Sequence, residues 1–416
     1  LSETKPFTIS KHLVMQAFKL IKANGGADGV DHQTLADFEM NLKGNLYKIW
    51  NRLSSGSYFP PPVKAVPIPK KSGGERILGV PTVSDRIAQM VIKLVFEPCV
   101  EPHFLPDSYG YRPNKSALDA VGVTRQRCWR YDWLLEYDIQ GLFDNLDHKL
   151  LMKAVKKHTD NKWIILYIER WLKTPMQMPD GSLQEKTKGV MQGGVISPVL
   201  SNLFLHYVFD AWIGKQHPTL LWCRYADDGL VHCKTKRQAE KLLADLGQRF
   251  KDCGLDLHPG KTKIVYCKDS SRKGNYPNTE FEFLGYNFRR RRAMNTKLNI
   301  VFASFTPAVS KSAQKSMRAK TRTMKFYRRS DLSLNDIAAV FNPILRGWIG
   351  YYGQYHRSEL YPVLRHFNKT LISWAMRKFK KFRSHKTRAA IFLEKLAERE
   401  PNLFAHWKAG MKGAFA

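Results

Sequence analysis

Several things are scarce in this sequence, and each shortage narrows what it can be. None of its six cysteines, Cys99, Cys128, Cys223, Cys233, Cys253 and Cys267, forms a C-x-x-C pair, which argues against zinc fingers and thioredoxin-like chemistry. Single scattered thiols fit a reducing compartment. No apolar run approaches the length of a membrane span, and the first residues lack the charged-then-apolar plan of a signal peptide. A soluble, intracellular protein with no membrane partner is therefore expected. There is no internal repeat and no low-complexity tract. Acid is also short.

What is present in excess is positive charge. The 416 residues carry 68 Lys+Arg against 36 Asp+Glu, a formal net charge of +32. Such an imbalance exceeds what solubility needs and creates a field that captures polyanions. A merely solvated basic surface, as in ribosomal or histone-like proteins, is the alternative. The aromatic content of 12% excludes a simple basic tail, because such tails lack core-forming residues. A folded nucleic-acid-binding protein of two or three domains is the expectation.

Along the chain, Ser10 to Lys22 has helical spacing, with Leu13, Ala17, Leu20 and Ile21 on one face, until Asn24-Gly25-Gly26-Ala27-Asp28-Gly29 breaks it. A second helical pattern runs from Leu35 to Leu53 and stops before Pro60-Pro61-Pro62, a candidate seam. From Val63 to about Arg292, β-rich runs alternate with helical patterns, as in an α+β domain. Val66–Pro69, Leu134–Ile139 and Gly229–His232 read as strands. Ser84–Phe96, Lys149–Lys156 and Arg237–Phe250 read as helices. From about Asn295 the pattern turns mostly helical and more basic. Arg318, Lys320, Arg322, Lys325, Arg328 and Arg329 crowd together. Arg377-Lys378-Phe379-Lys380-Lys381-Phe382-Arg383 then alternates cations, suited to phosphates, with aromatics that stack on bases or pack inward.

The sharpest chemical signal is Tyr225-Ala226-Asp227-Asp228 between two short apolar runs, a hairpin with paired carboxylates at its tip. Adjacent acids in an apolar hairpin repel each other and call for a cation, although a solvated acidic turn has the same spelling. A metal needs further ligands, and Asp138, near the end of an apolar strand, offers one. Magnesium takes oxygen ligands, commonly one or two carboxylates plus substrate phosphates, and two such ions can serve an in-line displacement. Asp144 and Asp147 look more like helix-start residues. Lys70 and Arg76 flank the turn Lys71-Ser72-Gly73-Gly74, which suits a triphosphate. Gln192-Gly193-Gly194 before Ser197-Pro198 offers close backbone approach to a nucleotide, or is a simple turn.

Taken in order, these pieces resemble the reverse transcriptases of group II introns and their bacterial group II-like relatives, over nearly the whole chain. The resemblance rests on Asn24–Asp31, Ile68–Arg76 with Leu78–Arg86, Ser108–Pro113, Tyr137–Asp144, Gln192–Pro198, Tyr225–Asp228, Phe283-Leu284-Gly285 and Gly347–Tyr352. It implies a right-hand polymerase fold with fingers, a palm carrying an antiparallel sheet, and a helical thumb. Residues 1–63 would be an N-terminal extension, 64–292 fingers and palm, 293–372 the thumb, and 373–416 a short basic nucleic-acid-binding segment. No endonuclease signature follows.

The resemblance also implies roles. Asp138, Asp227 and Asp228, with the backbone carbonyl of Ile139, would hold two Mg2+ ions, replaceable by Mn2+. Lys70 and Arg76 would hold the triphosphate, and Gln192 would line the nucleotide site. Phe143 would gate against a ribose 2′-hydroxyl, and Lys261 would approach the pyrophosphate. Partners would be an RNA (or DNA) template, a DNA primer, dNTPs and an intron RNA, in a bacterial cytoplasm. Splicing and retrohoming would be the associated biology. Two other readings share the same basic surface: an RNA-binding maturase with incidental polymerization, and a domesticated enzyme of DNA repair or end joining. Met191, His258 and His32 depart from the family pattern, which has proline, asparagine and glycine there, and Met191 borders the expected nucleotide pocket.

Overall fold

A computed structural model of the chain describes residues 5–69, 73–295 and 299–412. The chain divides into two compact units, Leu1–Ser116 with Leu135–Lys263 and Ala117–Leu134 with Ile264–Ala416. Among the described residues, no helix is long and apolar enough to cross a membrane.

The first unit opens with the helix Lys11–Asn24, capped by the Ser10 hydroxyl, which accepts from the Leu13 N–H at 3.1 Å. Its buried face is Val14, Ala17, Phe18 and Ile21, while Leu20 is exposed. The expected stripe through Leu13 and Leu20 is thus rotated. Two apolar stripes overlap in this segment, and packing against the helix Val83–Val100 selects one. The pattern expected as one helix over Leu35–Leu53 is two, Leu35–Met40 and Leu42–Ser54. Thr34 and Asp37 form a capping box for the first, and Asn41 leaves helical geometry at φ −127°, ψ 51°.

The glycine-rich segment after the first helix is anchored by a cation. Arg86 donates to the carbonyls of Gly25 (3.2 Å) and Ala27 (2.8 Å), and Lys64 meets Asp28 at 3.0 Å. Strand Val63–Pro69 pairs antiparallel with Glu75–Val80, setting Ile68 opposite Arg76, and parallel with the short strand Met176–Gln177. A second sheet holds the strands Leu221–Tyr225, Asp228–Cys233 and Trp133–Tyr137 in that order. The expected strands and helices of this region are all present, with the helices at Val83–Val100, His148–His158 and Lys236–Asp252. Asp147 caps the second of these, accepting from the Leu150 N–H at 2.8 Å. Helix Ser197–Leu205 widens into a π-helical turn, His206–Asp210, before continuing as Ala211–Gln216.

The second unit is mostly helical, as its sequence suggests, but it also holds a meander of Glu280–Phe283, Tyr286–Asn295 and Ile300–Val309. Helices Lys311–Thr323, Leu334–Tyr352, Tyr361–Lys378 and Lys386–Arg399 enclose an aromatic core of Phe326, Phe341, Phe367, Trp374, Phe404 and Trp407. The Phe283-Leu284-Gly285 turn is gripped by the helix ending at Tyr352: the Tyr351 hydroxyl donates to the Leu284 carbonyl at 2.8 Å. In the basic–aromatic block the rings turn inward. Phe382 is buried and Phe379 half-buried, 5.7 Å from Phe382 and 5.8 Å from Trp374.

Candidate active site

The site is built on the hairpin of Leu221–Tyr225 and Asp228–Cys233, in which Tyr225 pairs with Asp228. The two residues between them form the turn, with Ala226 at a left-handed φ of 57°. A non-glycine residue in that region must be held, and Arg224 holds it. Its guanidinium is fully buried and donates to the Ala226 carbonyl (3.0 Å), Asn202 Oδ1 (3.0 Å) and Ser108 Oγ (2.9 Å). Two further bonds of 2.7 Å reach both oxygens of the buried Asp210 carboxylate, a bidentate pair. Asp210 itself sits at the end of the π-helical turn. Sequence reasoning missed this pair. Its signal was a lone arginine directly after the apolar Leu221-Trp222-Cys223 run, inside the strand.

Two glycines let neighbouring backbone close on the hairpin. A Cβ on Gly110 would lie 2.3 Å from the Ala226 nitrogen, and one on Gly229 would lie 2.0 Å from the Tyr137 ring. The Ser108–Pro113 segment therefore presses directly on the turn, with the Tyr109 N–H donating to the Arg224 carbonyl at 2.8 Å. Tyr137 ends its strand, and Asp138 follows it, largely buried.

Asp138, Asp227 and Asp228 converge. Crowding by protein pushes the Asp228 pKa up to about 7, with the charge of Asp227, then that of Asp138, adding to it. Asp228 and Asp138 are within hydrogen-bonding reach of each other. The Asp227 carboxyl is raised too, mainly by burial and then by Asp138, against the opposing pull of Lys261. The Lys261 ammonium stands 2.9 Å from Asp138 Oδ2, and that bond holds its pKa above the ordinary lysine value. Three carboxylates thus share one cation. Ile139 is buried beside them, bridged to Leu257.

Residues 68–288 match the reverse transcriptase (RNA-dependent DNA polymerase) family, and residues 314–390 match the maturase-specific domain of group II introns. The chain belongs to the group II intron reverse transcriptases. It is 30% identical over 319 residues to Protein YkfC of Escherichia coli, covering 66% of this chain and 78% of that one. Identity to the Putative COX1/OXI3 intron 1 protein of Saccharomyces cerevisiae is 26% over 329 residues, 66% of this chain and 38% of the relative. Identity to the Group II intron-encoded protein LtrA of Lactococcus lactis subsp. cremoris is 31% over 193 residues, 46% of this chain and 32% of the relative. This reverse transcriptase accordingly has the α+β, right-hand polymerase fold and is an RNA-directed DNA polymerase.

Other residues expected at the reverse transcriptase's site fall into three places. Arg76 is exposed on its strand and close enough to Tyr111 to act on its phenol, as are Asp227 and Asp228. Burial is the larger cause of the raised Tyr111 pKa. Tyr111 thus stands between the basic strand and the acidic turn, a neighbour that sequence reasoning did not single out. Phe143 is half-buried on the short helix Leu142–Asn145, and its carbonyl accepts from the Val190 N–H at 2.6 Å. Gln192 accepts at its carbonyl from the Gly79 N–H at 2.8 Å, so the loop at 192–196 lies beside the strand Glu75–Val80. Lys70 lies outside the described residues.

The 192–196 loop is fixed from below. Gln89 Oε1 accepts from the Val195 N–H at 2.7 Å, and Gln89 donates to the fully buried Asp85. Asp85 in turn accepts from Tyr58 (2.9 Å) and Trp171 (2.8 Å). Burial raises its pKa, against the pull of those donors. Met191, at the position where the family pattern has proline, is buried in a cluster with Val63, Ala65 and Met176.

Proposed function

We propose that this reverse transcriptase adds dNTPs to a primer 3′ end on RNA, and also DNA, templates, with Asp138, Asp227 and Asp228 as the residues that hold two Mg2+ ions. The observation that carries it is the convergence of Asp138 with the Asp227–Asp228 turn around a single ammonium. Three carboxylates repel a triphosphate unless cations stand between them. The donor set also fits: hard carboxylate oxygens suit magnesium, which relies on few protein ligands and completes its shell with water and phosphate. Among the described residues, no group of three or more His, Cys, Asp and Glu side chains stands in metal-holding geometry, so in this reading the ions depend on water and substrate phosphates as well as on these carboxylates. Bound there, such ions supply activation of the primer hydroxyl and stabilisation of the leaving pyrophosphate.

The chain's own residues have separate tasks in this reading. Arg224 and Asp210 hold the turn so that Asp227 and Asp228 point together. Arg76, with Lys70, takes the triphosphate charge, and Gln192 lines the nucleotide. Phe143 walls off the ribose 2′-position, where an extra hydroxyl would find neither room nor partner. Lys261, now on Asp138, is free to follow negative charge as it develops on pyrophosphate. The carbonyl of Ile139 is an additional oxygen ligand. The match at 314–390 supports a second role in binding intron RNA for splicing and, with polymerization, for retrohoming.

The test is Asp227→Asn, which keeps the shape of the side chain and removes its charge. Extension of a DNA primer on an RNA template with Mg2+ and dNTPs should fall to background while template–primer affinity is retained. Full extension by that variant would refute the ligand assignment.

A further inference from the structure

Asp85 is fully buried, and it is not one of the carboxylates assigned to metal. Keeping such a group in a core is costly unless its hydrogen bonds do something that an apolar side chain could not. Three neutral donors meet it. Tyr58 and Trp171 both donate to Oδ1, and Gln89, one turn along the helix Val83–Val100, donates from Nε2 to Oδ2 at 2.9 Å. The other end of the Gln89 amide faces the nucleotide loop, where Oε1 accepts from the N–H groups of Val195 (2.7 Å) and Ile196 (3.3 Å).

These partners leave the amide one orientation. A backbone N–H and an indole N–H can only donate. Trp171 therefore requires an oxygen at Asp85 Oδ1, and Val195 requires an oxygen from Gln89, which leaves the Gln89 NH2 group facing Asp85 Oδ2. An ionised carboxylate accepts there and donates nothing, so it holds the amide against reversal. The loop has no substitute at hand. Ile196, the N-cap of the helix Ser197–Leu205, offers no side-chain acceptor. The cavity between Gln89, Met191, Ile196 and Ser197 is about 10 Å³, no more than the least space a water occupies, and its walls are mostly apolar.

On its other side the same loop is laid on the strand Glu75–Val80, which carries Arg76. The Gly79 N–H donates to the Gln192 carbonyl at 2.8 Å. Gly193 takes a φ of 113°, and a Cβ there would lie 2.4 Å from the Gly79 carbonyl oxygen. Gln192 is thus held between two fixed points, Gln89 through Val195 and the strand through Gly79. A shift at Val195 moves Gln192 relative to Arg76.

We propose that Gln89, locked by Asp85, is a positioning residue for the incoming nucleotide: it sets the 192–196 loop at the distance from Arg76 at which both act on one dNTP. This rests on the reading of Gln192 and Arg76 as nucleotide ligands. The effect falls on nucleotide binding and not on the Asp227–Asp228 turn, which Arg224 and Asp210 hold by their own bonds.

The experiment measures KM for dNTP and kcat on saturating RNA template and DNA primer, with urea unfolding alongside, for variants of the full chain. Asp85→Asn keeps the shape but presents an NH2 group to the Gln89 NH2 group, because Trp171 still claims the oxygen. Gln89 must then reverse and turn its own NH2 group on the Val195 N–H. KM should rise about tenfold while kcat stays within about threefold of wild type. Gln89→Leu removes the acceptor without adding bulk and should do the same; it keeps the test open if Asp85→Asn does not fold. The D85N/Q89E exchange moves the charge one turn along the helix and restores every donor–acceptor pair, so KM should return to within about threefold of the wild-type value. Lost stability with KM unchanged would overturn the proposal and leave the network as core packing. So would a fall in kcat at unchanged KM, which would put the effect on the metal-holding turn. A double variant no better than Asp85→Asn would overturn it as well. Gln192→Ala separates this proposal from the reading beneath it. If that variant alone raises KM, Gln89 has no positioning role; if it alone leaves KM unchanged, Gln192 is no ligand and Gln89 positions the loop's backbone.

Discussion

The two units are stabilised in different currencies. The first buries Asp85, Gln89, Asn202, Asp210 and Arg224, and these polar side chains bond to loops and to one another. The second has a core of interlocked aromatic rings, Phe326, Phe341, Phe367 and Phe404 among them, with ring centroids mostly 5–6 Å apart. The reason lies in the backbone. Helices satisfy their own N–H and C=O groups, so the helical core of the second unit closes mainly over apolar side chains, with few polar ones such as Asn368 and His406 among them. The first must fix the turn at Ala226 and the 192–196 loop, which lack a regular ladder, and side chains stand in for it. Buried polar networks are weak sources of net stability but strong determinants of a particular geometry. The polymerase unit therefore uses them where the shape of the backbone decides whether carboxylates converge.

Arg224→Met breaks that contrast most severely. It leaves the Asp210 carboxylate buried without a counter-charge and frees the Ala226 carbonyl, at a cost of about 3–5 kcal/mol. Extension should be largely lost as well. Adding Asp210→Leu should recover most of the stability, because an apolar pair can replace a buried ion pair. It should not recover extension, since nothing then ties the left-handed turn. Urea unfolding beside primer extension separates the two effects. A double variant with full activity would show that the network serves stability alone.

Phe367→Ala makes the complementary break. Its ring is completely buried among Phe326, Phe341 and Phe404, and removing it should cost about 3–5 kcal/mol through lost burial and the cavity left behind. Below the unfolding transition, kcat on saturating template–primer should match wild type. A fall in kcat without a fall in stability would erase the distinction between the units.

How much of this was legible in the sequence follows the same division. Asp138, Asp227 and Asp228 could be singled out because carboxylates inside apolar strands stand out locally. Arg224 and Asp210 could not be paired, because their meaning lies in a contact between a strand and a π-helical turn. The same holds for Asp85, whose partners Tyr58 and Trp171 are remote in sequence. Helix starts came through closely where caps mark them: the reading from Ser10 meets the helix that Ser10 caps, and the reading from Arg237 falls one residue inside the helix that Thr235 caps. Which stripe of the Lys11–Asn24 helix faces inward did not, since packing partners decide between overlapping stripes. The strand Ile300–Val309 was hidden inside a stretch whose composition otherwise reads as helix.

The smallest effect concerns a titratable group buried among the rings of the second unit. His406 is fully buried, with Nε2 2.7 Å from Asn368 Oδ1, and burial pushes its pKa from 6.5 down to about 3. The folded state thus keeps the imidazole neutral at a pH where the unfolded chain protonates it. This contribution is fully present above pH 6.5 and is lost as pH falls toward the folded value, at about 1.4 kcal/mol per pH unit. Carboxylates titrate over the lower part of the same range, so the informative quantity is the difference between wild type and His406→Gln. Between pH 6.5 and 5, urea unfolding of wild type should show the steeper loss by roughly that increment per unit. Parallel profiles would mean that the aromatic unit yields to charge, and the contrast with the polymerase unit would lose its clearest single case.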